Sequence, residues 1–370
     1  MKRLVSPLLI VLLLSSFVVG WRTTPRLFTA LDSNDLVWTQ SMTLAGSLLL
    51  VSDVSGLHIY DVSNLAAPTQ RMRIRLHDNL SSAVKDDIIY TNDEGQLKAI
   101  RLTGDSYTVV DSIGRKYPRY YEGPIDGYGG GGCSACTNSY DVATGIPAPG
   151  GTGSSYATFA VIDNYLYRAD RHGSLITYDI TTPDKIKQIG SVDVGWGVES
   201  LYPTPNFLFV GGGSGMYIFD RMQPEKPVQI SKIEHTRACD PVVVSGSTAF
   251  VTLRGSGICG GAADELLCVT IKDPHKPEVM TAKALVTPWG LALQGPQLYV
   301  SHGDSGYSLF DVTDPSSPAL TATWNDTPTR DFIWSGHTLF VMSQHNVFIY
   351  DVTDPSAPVL LSQVQGPSAM

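Results

Sequence analysis

The feature that most constrains this chain is a phrase that recurs down its length, seen most cleanly from Val347 to Pro358 as VFIYDVTDPSAP. It joins an apolar run of β-branched and aromatic residues to an aspartate, and then to a turn built on Asp354, Pro355 and Pro358. That order is strand, tight corner, next strand. Asp354 can accept hydrogen bonds from backbone groups two residues on, and Pro355 keeps the residue before it out of the helical region. The chain must leave the strand there.

Aligned on the residue that closes the apolar run, the copies fall at Asp61, Arg101, Asp179, Asp220, Thr270, Asp311 and Asp351, at intervals of 40, 78, 41, 50, 41 and 40. Prolines keep the same register, four residues later at Pro183, Pro224, Pro274, Pro315 and Pro355, and seven later at Pro68, Pro227, Pro277, Pro318 and Pro358. A period of about 40 with strand signals and no three-and-four apolar spacing points to propeller blades. The predicted fold is all-β, a seven-bladed β-propeller of four-stranded blades. The doubled interval leaves eight blades as the alternative.

Two further turns recur in each module. One carries Gly46, Asp86 and Asp87, Asn164, Asn206, Gly246, Gly295 or Gly336; the other, just before the anchor strand, carries Gly56, Gly95, Gly173, Gly215, Gly306 or Asn346. Glycine and asparagine tolerate positive φ, so the second slot is expected to be a left-handed hairpin corner. The anchor strands are apolar on both sides, as a strand between neighbouring blades must be. A carboxylate repeated in five of seven copies, and replaced by Arg101 and Thr270 in the others, fits a turn device better than a catalytic acid.

The copies stand as LHIYDVSNLAAP, LITYDITTPDKI, MYIFDRMQPEKP, LLCVTIKDPHKP, YSLFDVTDPSSP and VFIYDVTDPSAP. They resemble the LVIVD repeat of bacteria and archaea, an apolar strand ending in aspartate followed by a Ser/Thr-Asn/Asp-Pro-x-x-Pro turn. The resemblance covers about Leu36 to Gly366 and implies an extracellular propeller at the cell surface or exported, with no settled activity and no catalytic residues to carry over. The second copy, LKAIRLTGDSYTVV, lacks the prolines.

Residues 1–20 have the layout of a secretory signal peptide: Lys2 and Arg3, an apolar run from Leu4 to Val19, then Gly20. The run is too short for a membrane span and holds Pro7 and three serines, so the membrane enters only if this segment stays uncleaved. Removing Lys2 and Arg3 from 26 basic residues leaves 24 against 35 acidic ones. Such a balance argues against nucleic acid as a partner. Residues 21–35 form an N-terminal segment in which Arg26 to Leu31 resembles an extra outer strand; 36–366 form one propeller domain, and 367–370 a tail. Val359 to Val364 competes with Arg26 to Leu31 for the outer edge of the last blade.

The long interval contains 117–153, rich in Tyr, Gly and Pro, expected as a surface loop between blades 2 and 3 and as a candidate binding element. Five cysteines in an exported chain favour disulfides: Cys239 with Cys259, and Cys133 with Cys136. Cys268, inside an anchor strand, is either a buried free thiol or a partner for Cys259.

A propeller places the glycine-ended turns and the blade crossovers on one rim. Ligand-binding candidates there are Trp196, Arg237, Asp240, Arg254, Trp289, His302, Asp304, Arg330, Asp331 and His345, with Asp53, Asp93, Asp170 and Gln344 nearby. His172, His302 and His345 come from equivalent loops of three blades, a weak metal-site candidate; no cofactor is predicted, and Ca or Zn are the ions such a rim would take. No GxSxG elbow, phosphate loop or EF-hand spacing occurs. Asn79 and Asn325 begin glycosylation acceptor triplets. The function expected from all this is a monomeric, non-catalytic binding or scaffold module, secreted, periplasmic or on the cell surface, with an envelope or extracellular protein or a glycan as partner. The competing reading is a metal-dependent, lactonase-like propeller hydrolase working through rim histidines and carboxylates.

Overall fold

A computed structural model describes residues 36–114, 152–170, 173–195, 197–234, 241–255 and 263–365. They form seven antiparallel sheets, each built on four consecutive strands, at 39–74, 82–113, 159–193, 198–234, 242–284, 291–324 and 331–365. These are blades 1 to 7. The anchor phrase is the third strand of each, such as Asn346–Asp351 in blade 7. The second and third strands are largely buried because neighbouring blades cover both their faces, while the fourth is mostly exposed, as in the eeeieie pattern of Glu278–Ala284.

The anchor aspartates do what their repetition implied. Asp61, Asp179, Asp220, Asp311 and Asp351 each accept the backbone N–H two residues on, at 2.7–2.9 Å, and in blade 5 Thr270 takes the same bond at 3.5 Å. In blade 2 Arg101 instead pairs with Asp87 at 2.9 Å. Every blade also carries a bulge between its third and fourth strands at one register position, from Ile59/Tyr60 to Ile349/Tyr350. The bulge adds twist to the outer edge and so discourages further strand pairing there.

In six of the seven blades the turn after the anchor leans on the preceding blade. Ser231, Thr281 and Ser362 donate hydroxyl hydrogen bonds to Pro274 O, Ser316 O and Leu65 O, across the junctions 4–5, 5–6 and 7–1. Tyr167 and Tyr299 do the same to Pro224 O and Pro355 O, and Ile186 N donates to Asp111. The ring therefore closes with the same contact used between covalently successive blades. Thr39 N donating to Gln344 O at 2.9 Å, and a core shared by Leu49, Val51, Phe340 and Ile349, complete the seam. Val359–Gln365 is blade 7's own outer strand; Arg26 to Leu31 lies outside the described residues.

Two expectations need correction. The slot before the anchor strand is left-handed at Gly173 and Gly306, with φ +93° and +89°, but not at Gly215 or Asn346. At Gly215 space excludes a side chain, because a Cβ would collide with Ile233 O on the fourth strand. The interval before blade 3 also does not remain at the surface throughout. Thr152–Gly153 pairs with Thr43 and Leu44, adding a fifth strand to blade 1 on the channel side. Residues 154–158 then cross the ring to blade 3 and are buried. The rest of 117–153 lies outside the described residues.

Candidate active face at the channel mouth

The crossover rim gathers side chains from four successive blades. Arg254 follows strand Thr248–Leu253 of blade 5, Trp289 and Arg330 end the crossovers into blades 6 and 7, and Trp38 stands just ahead of blade 1's first strand Thr39–Ala45. The Arg254 guanidinium lies 3.4 Å from the Trp289 ring centroid. Arg330 lies 5.0 Å from the same ring and 5.3 Å from that of Trp38. The four form an alternating ladder of cation and indole, each contact of a kind worth about 0.5–2 kcal/mol. Local geometry fixes the rungs. Thr252 Oγ1 donates to Trp289 O at 2.6 Å, and Gly303 packs where any Cβ would press on the indole nitrogen.

Trp38 is 41% exposed and has φ +58°, an unusual backbone for a bulky residue. Asp304 is exposed beside the ladder; its carboxylate supports the Arg330 charge, which burial and the neighbouring Arg254 oppose. His345 accepts from Trp38 N at 3.4 Å if Nδ1 is unprotonated, and burial and Arg330 hold its pKa low.

Beneath the ladder lies the segment that crosses the channel. Ser155 Oγ donates to Asp331 at 3.1 Å and accepts Leu291 N at 2.8 Å, tying the plug to blades 6 and 7. Leu201 N donates to Ala157 O at 3.0 Å and ties it to blade 4. Gly290 is what admits the Asp331 carboxyl, since a Cβ there would collide with it. Asp331 is fully buried, and desolvation raises its pKa well above the carboxylate range despite bonds from Phe332 N and Ser155. Burial also raises the pKa of Tyr156, which feels Arg254 and Arg330 on one side and Asp331 and Glu199 on the other. The Tyr156 hydroxyl, Asp331 Oδ2 and Arg330 Nη1 are buried with no hydrogen-bond partner among the described residues. Orphaned buried polar atoms cost about 1–3 kcal/mol each.

Of the rim residues expected from sequence, Arg254, Trp289, Arg330, Asp304 and His345 meet here, while Asp331 lies below the face as part of the plug. His302 does not join them. Its Nδ1 faces Val286 O at 3.0 Å and its Nε2 faces Ser308 Oγ at 2.9 Å, and burial holds its pKa low. Among the described residues no three His, Cys, Asp or Glu side chains gather around one point. Trp196, Arg237, Asp240, His172, Cys133, Cys136, Cys239 and Cys259 lie outside the described residues. Cys268 is a free, buried thiol, with its pKa pushed up to about 12 by desolvation. Asn79 is buried and donates to Gly56 O at 3.0 Å, so the folded chain does not offer it as a glycan acceptor; Asn325 is exposed.

Sequence reasoning missed Trp38, Ser155 and Tyr156. A signal for the first was present, since tryptophan recurs just ahead of an inner strand at Trp38, Trp196 and Trp289. It also missed a buried trio in blade 1, where Ser55 Oγ and Asp53 Oδ2 lie 3.2 and 3.1 Å from His58 Nε2. Both partners use the same ring nitrogen, whereas an acid–base relay to a serine needs them on opposite ones. The trio is a structural tie within one hairpin, between the turn at Asp53–Ser55 and strand Gly56–Asp61.

The LVIVD repeat model matches residues 39–74, 157–194 and 288–326, which are blades 1, 3 and 6 with their flanks. No curated protein matches the chain. Among solved structures, a Lactobacillus plantarum protein is 15% identical with a TM-score of 0.62, covering 89% of this chain and 96% of that one. The periplasmic gluconolactonase PpgL of Pseudomonas aeruginosa is 11% identical, with a TM-score of 0.59 over 90% and 97%. BamB of Moraxella catarrhalis is 10% identical, with a TM-score of 0.55 over 84% and 80%. At these identities the likeness is one of fold.

Proposed function

Because the chain is an LVIVD repeat protein closed into seven blades, we propose that it is an exported, non-catalytic binding module at the cell envelope or outside the cell, with the crossover rim as its binding face. The observation that carries this reading is the ladder of Arg254, Trp289, Arg330 and Trp38. Two guanidinium groups share one indole above a buried Asp331 whose pKa desolvation raises, so the ladder gathers two positive charges within an acidic chain. Arginine and exposed aromatics are the residues that anchor binding partners. The chemistry fits a carboxylate- or sulfate-bearing glycan or an acidic protein segment, held by charge-assisted hydrogen bonds with Trp38 as an apolar platform.

Export is supported by the layout of residues 1–20. The likeness to PpgL and BamB agrees with an envelope setting at the level of fold alone. The hydrolase alternative draws on rim histidines, and His302 already spends both ring nitrogens on protein partners. The test is a binding array of acidic and neutral glycans and of envelope proteins, probed with wild type and with Arg330→Ala and Trp38→Ala. The reading expects acidic ligands to be retained by wild type and lost by at least tenfold in both variants. Binding that ignores both substitutions would sink it.

A further inference from the structure

The junction between blades 1 and 2 differs from the other six. Elsewhere the turn after the anchor strand lies across the preceding blade and gives it either a carbonyl acceptor or, at Ile186, an N–H donor. Its first residue, such as Val62, Ile180 or Val352, is buried in a core shared with that blade. Its fourth residue, Leu65 or the proline at 183, 224, 274, 315 or 355, is half-buried.

Blade 2 has no such turn. Gly104 and Asp105 alone join Gln96–Thr103 to Ser106–Ile113. Where the turn would rest on blade 1 there is a cavity of about 220 Å³, with an apolar floor of Leu48, Leu50, Val84, Ile89 and Leu102. Arg71, Asp86 and Asp87 stand at its edge. Arg71 is the bulge residue of blade 1's outer strand, beside the Met72 that stands where other blades have Ser231, Thr281 and Ser362, and its side chain crosses the gap to Gly104 O at 2.9 Å and to Asp105 at 3.4 Å. The cavity opens to solvent along its charged edge, so covering its apolar floor would remove apolar surface from water.

We propose that this cavity is a socket for a proline-containing turn of a partner protein, seated over the half-buried Leu48 and Leu102 with one of its carbonyls accepting from Arg71. The chain itself shows what fits, because its own turns occupy the corresponding space at six junctions. The turns of a second copy are engaged in the same way, so the occupant comes from a different protein. The exposed carboxylate of Asp86, beside an Asp87 already paired with Arg101, favours a turn that carries a basic residue beside its proline.

The test uses the full chain and a fluorescent peptide with the sequence of residues 350–360, blade 7's turn and its flanks, carrying Lys in place of Ser356. Anisotropy should report saturable binding, about tenfold weaker for Arg71→Ala, the loss expected for one charge-assisted hydrogen bond. A peptide with serine at both proline positions should bind at least as poorly. Replacing Gly104 and Asp105 by residues 312–318 gives blade 2 a turn of its own; this graft should abolish binding and raise Tm. Should the graft not fold, Ala45→Trp fills the socket from its wall and should also abolish binding. No saturable binding to wild type, unchanged binding to the filled chain, or equal binding of the serine peptide would overturn the proposal.

Discussion

The proline rim and the crossover rim are made by the same seven modules, but only the first repeats. On the proline rim, Asp61, Asp179, Asp220, Asp311 and Asp351 make one bond in five blades, and six turns lean on six neighbours. On the crossover rim, the positions that repeat in sequence diverge in chemistry: Asp53, Asp93 and Arg254 end corresponding strands or follow them directly, and each makes a different network. A ring gains stability when each junction is alike, because each blade then buries its apolar sides on both neighbours. A binding face needs the opposite, a few unlike groups in one place. The difference is that substitutions on one rim should change stability and on the other binding.

The largest effect should come from the scaffold side. Tyr299 packs among Tyr307, Trp324, Phe332 and Trp334, with ring centroids 4.9–6.1 Å away, and donates to Pro355 O at 2.6 Å. Tyr299→Ala should cost about 4 kcal/mol by urea denaturation, the range for removing a buried aromatic. The folded fraction should bind ligand as wild type does. A loss of affinity matching the loss of stability would break the separation between the rims.

Asp331 tests the layer under the binding face. Its folded pKa is raised by burial, so the folded chain holds a proton that the unfolded chain releases above about pH 4. The stability that the protonated group allows is complete below that pH and is lost as pH rises through the folded pKa. Asp331→Asn keeps an acceptor for Ser155 and Phe332 N and cannot ionise. Its stability relative to wild type should therefore climb from pH 4 to pH 8, and parallel curves would show that Asp331 is not held protonated.

The ladder comes next. Arg330→Lys keeps the charge but loses the planar face that lies between Trp289 and Trp38. It should weaken ligand binding by about tenfold while changing stability by less than about 1 kcal/mol. Full retention of affinity would reduce the ladder to packing.

These predictions also mark where the sequence was readable. The blade count, the strand order and the role of the anchor aspartate followed from spacing, because each rests on local chemistry repeated many times. Arg254, Trp289 and Arg330 were placed on one rim by register alone. Their stacking was not readable, since it depends on how adjacent blades are rotated. The plug was missed for a different reason. Ser155 and Tyr156 follow an interval without repeat signal, and nothing in GTGSSYATF marks a segment that crosses the ring. Glycines at the hairpin corner were recognised, but at Gly215 the cause was a close carbonyl on another strand, which sequence does not display.

The smallest effect addresses how the ring closes. Ser362 and Ser231 each follow their anchor residue by eleven positions and donate to the fourth turn residue of the next blade, Leu65 in one case and Pro274 in the other. The first contact joins the two ends of the ring, while the second joins blades linked by the chain. Each alanine substitution removes one hydroxyl bond and leaves a carbonyl near solvent, so each should cost about 1 kcal/mol. If the closure seam is an ordinary junction, Ser362→Ala and Ser231→Ala should match at equilibrium and in unfolding rate. Were Ser362→Ala alone to speed amide exchange in Thr39–Ala45 and Asp331–Ser335, the ring would open first at that seam, and the uniformity of the proline rim would end there.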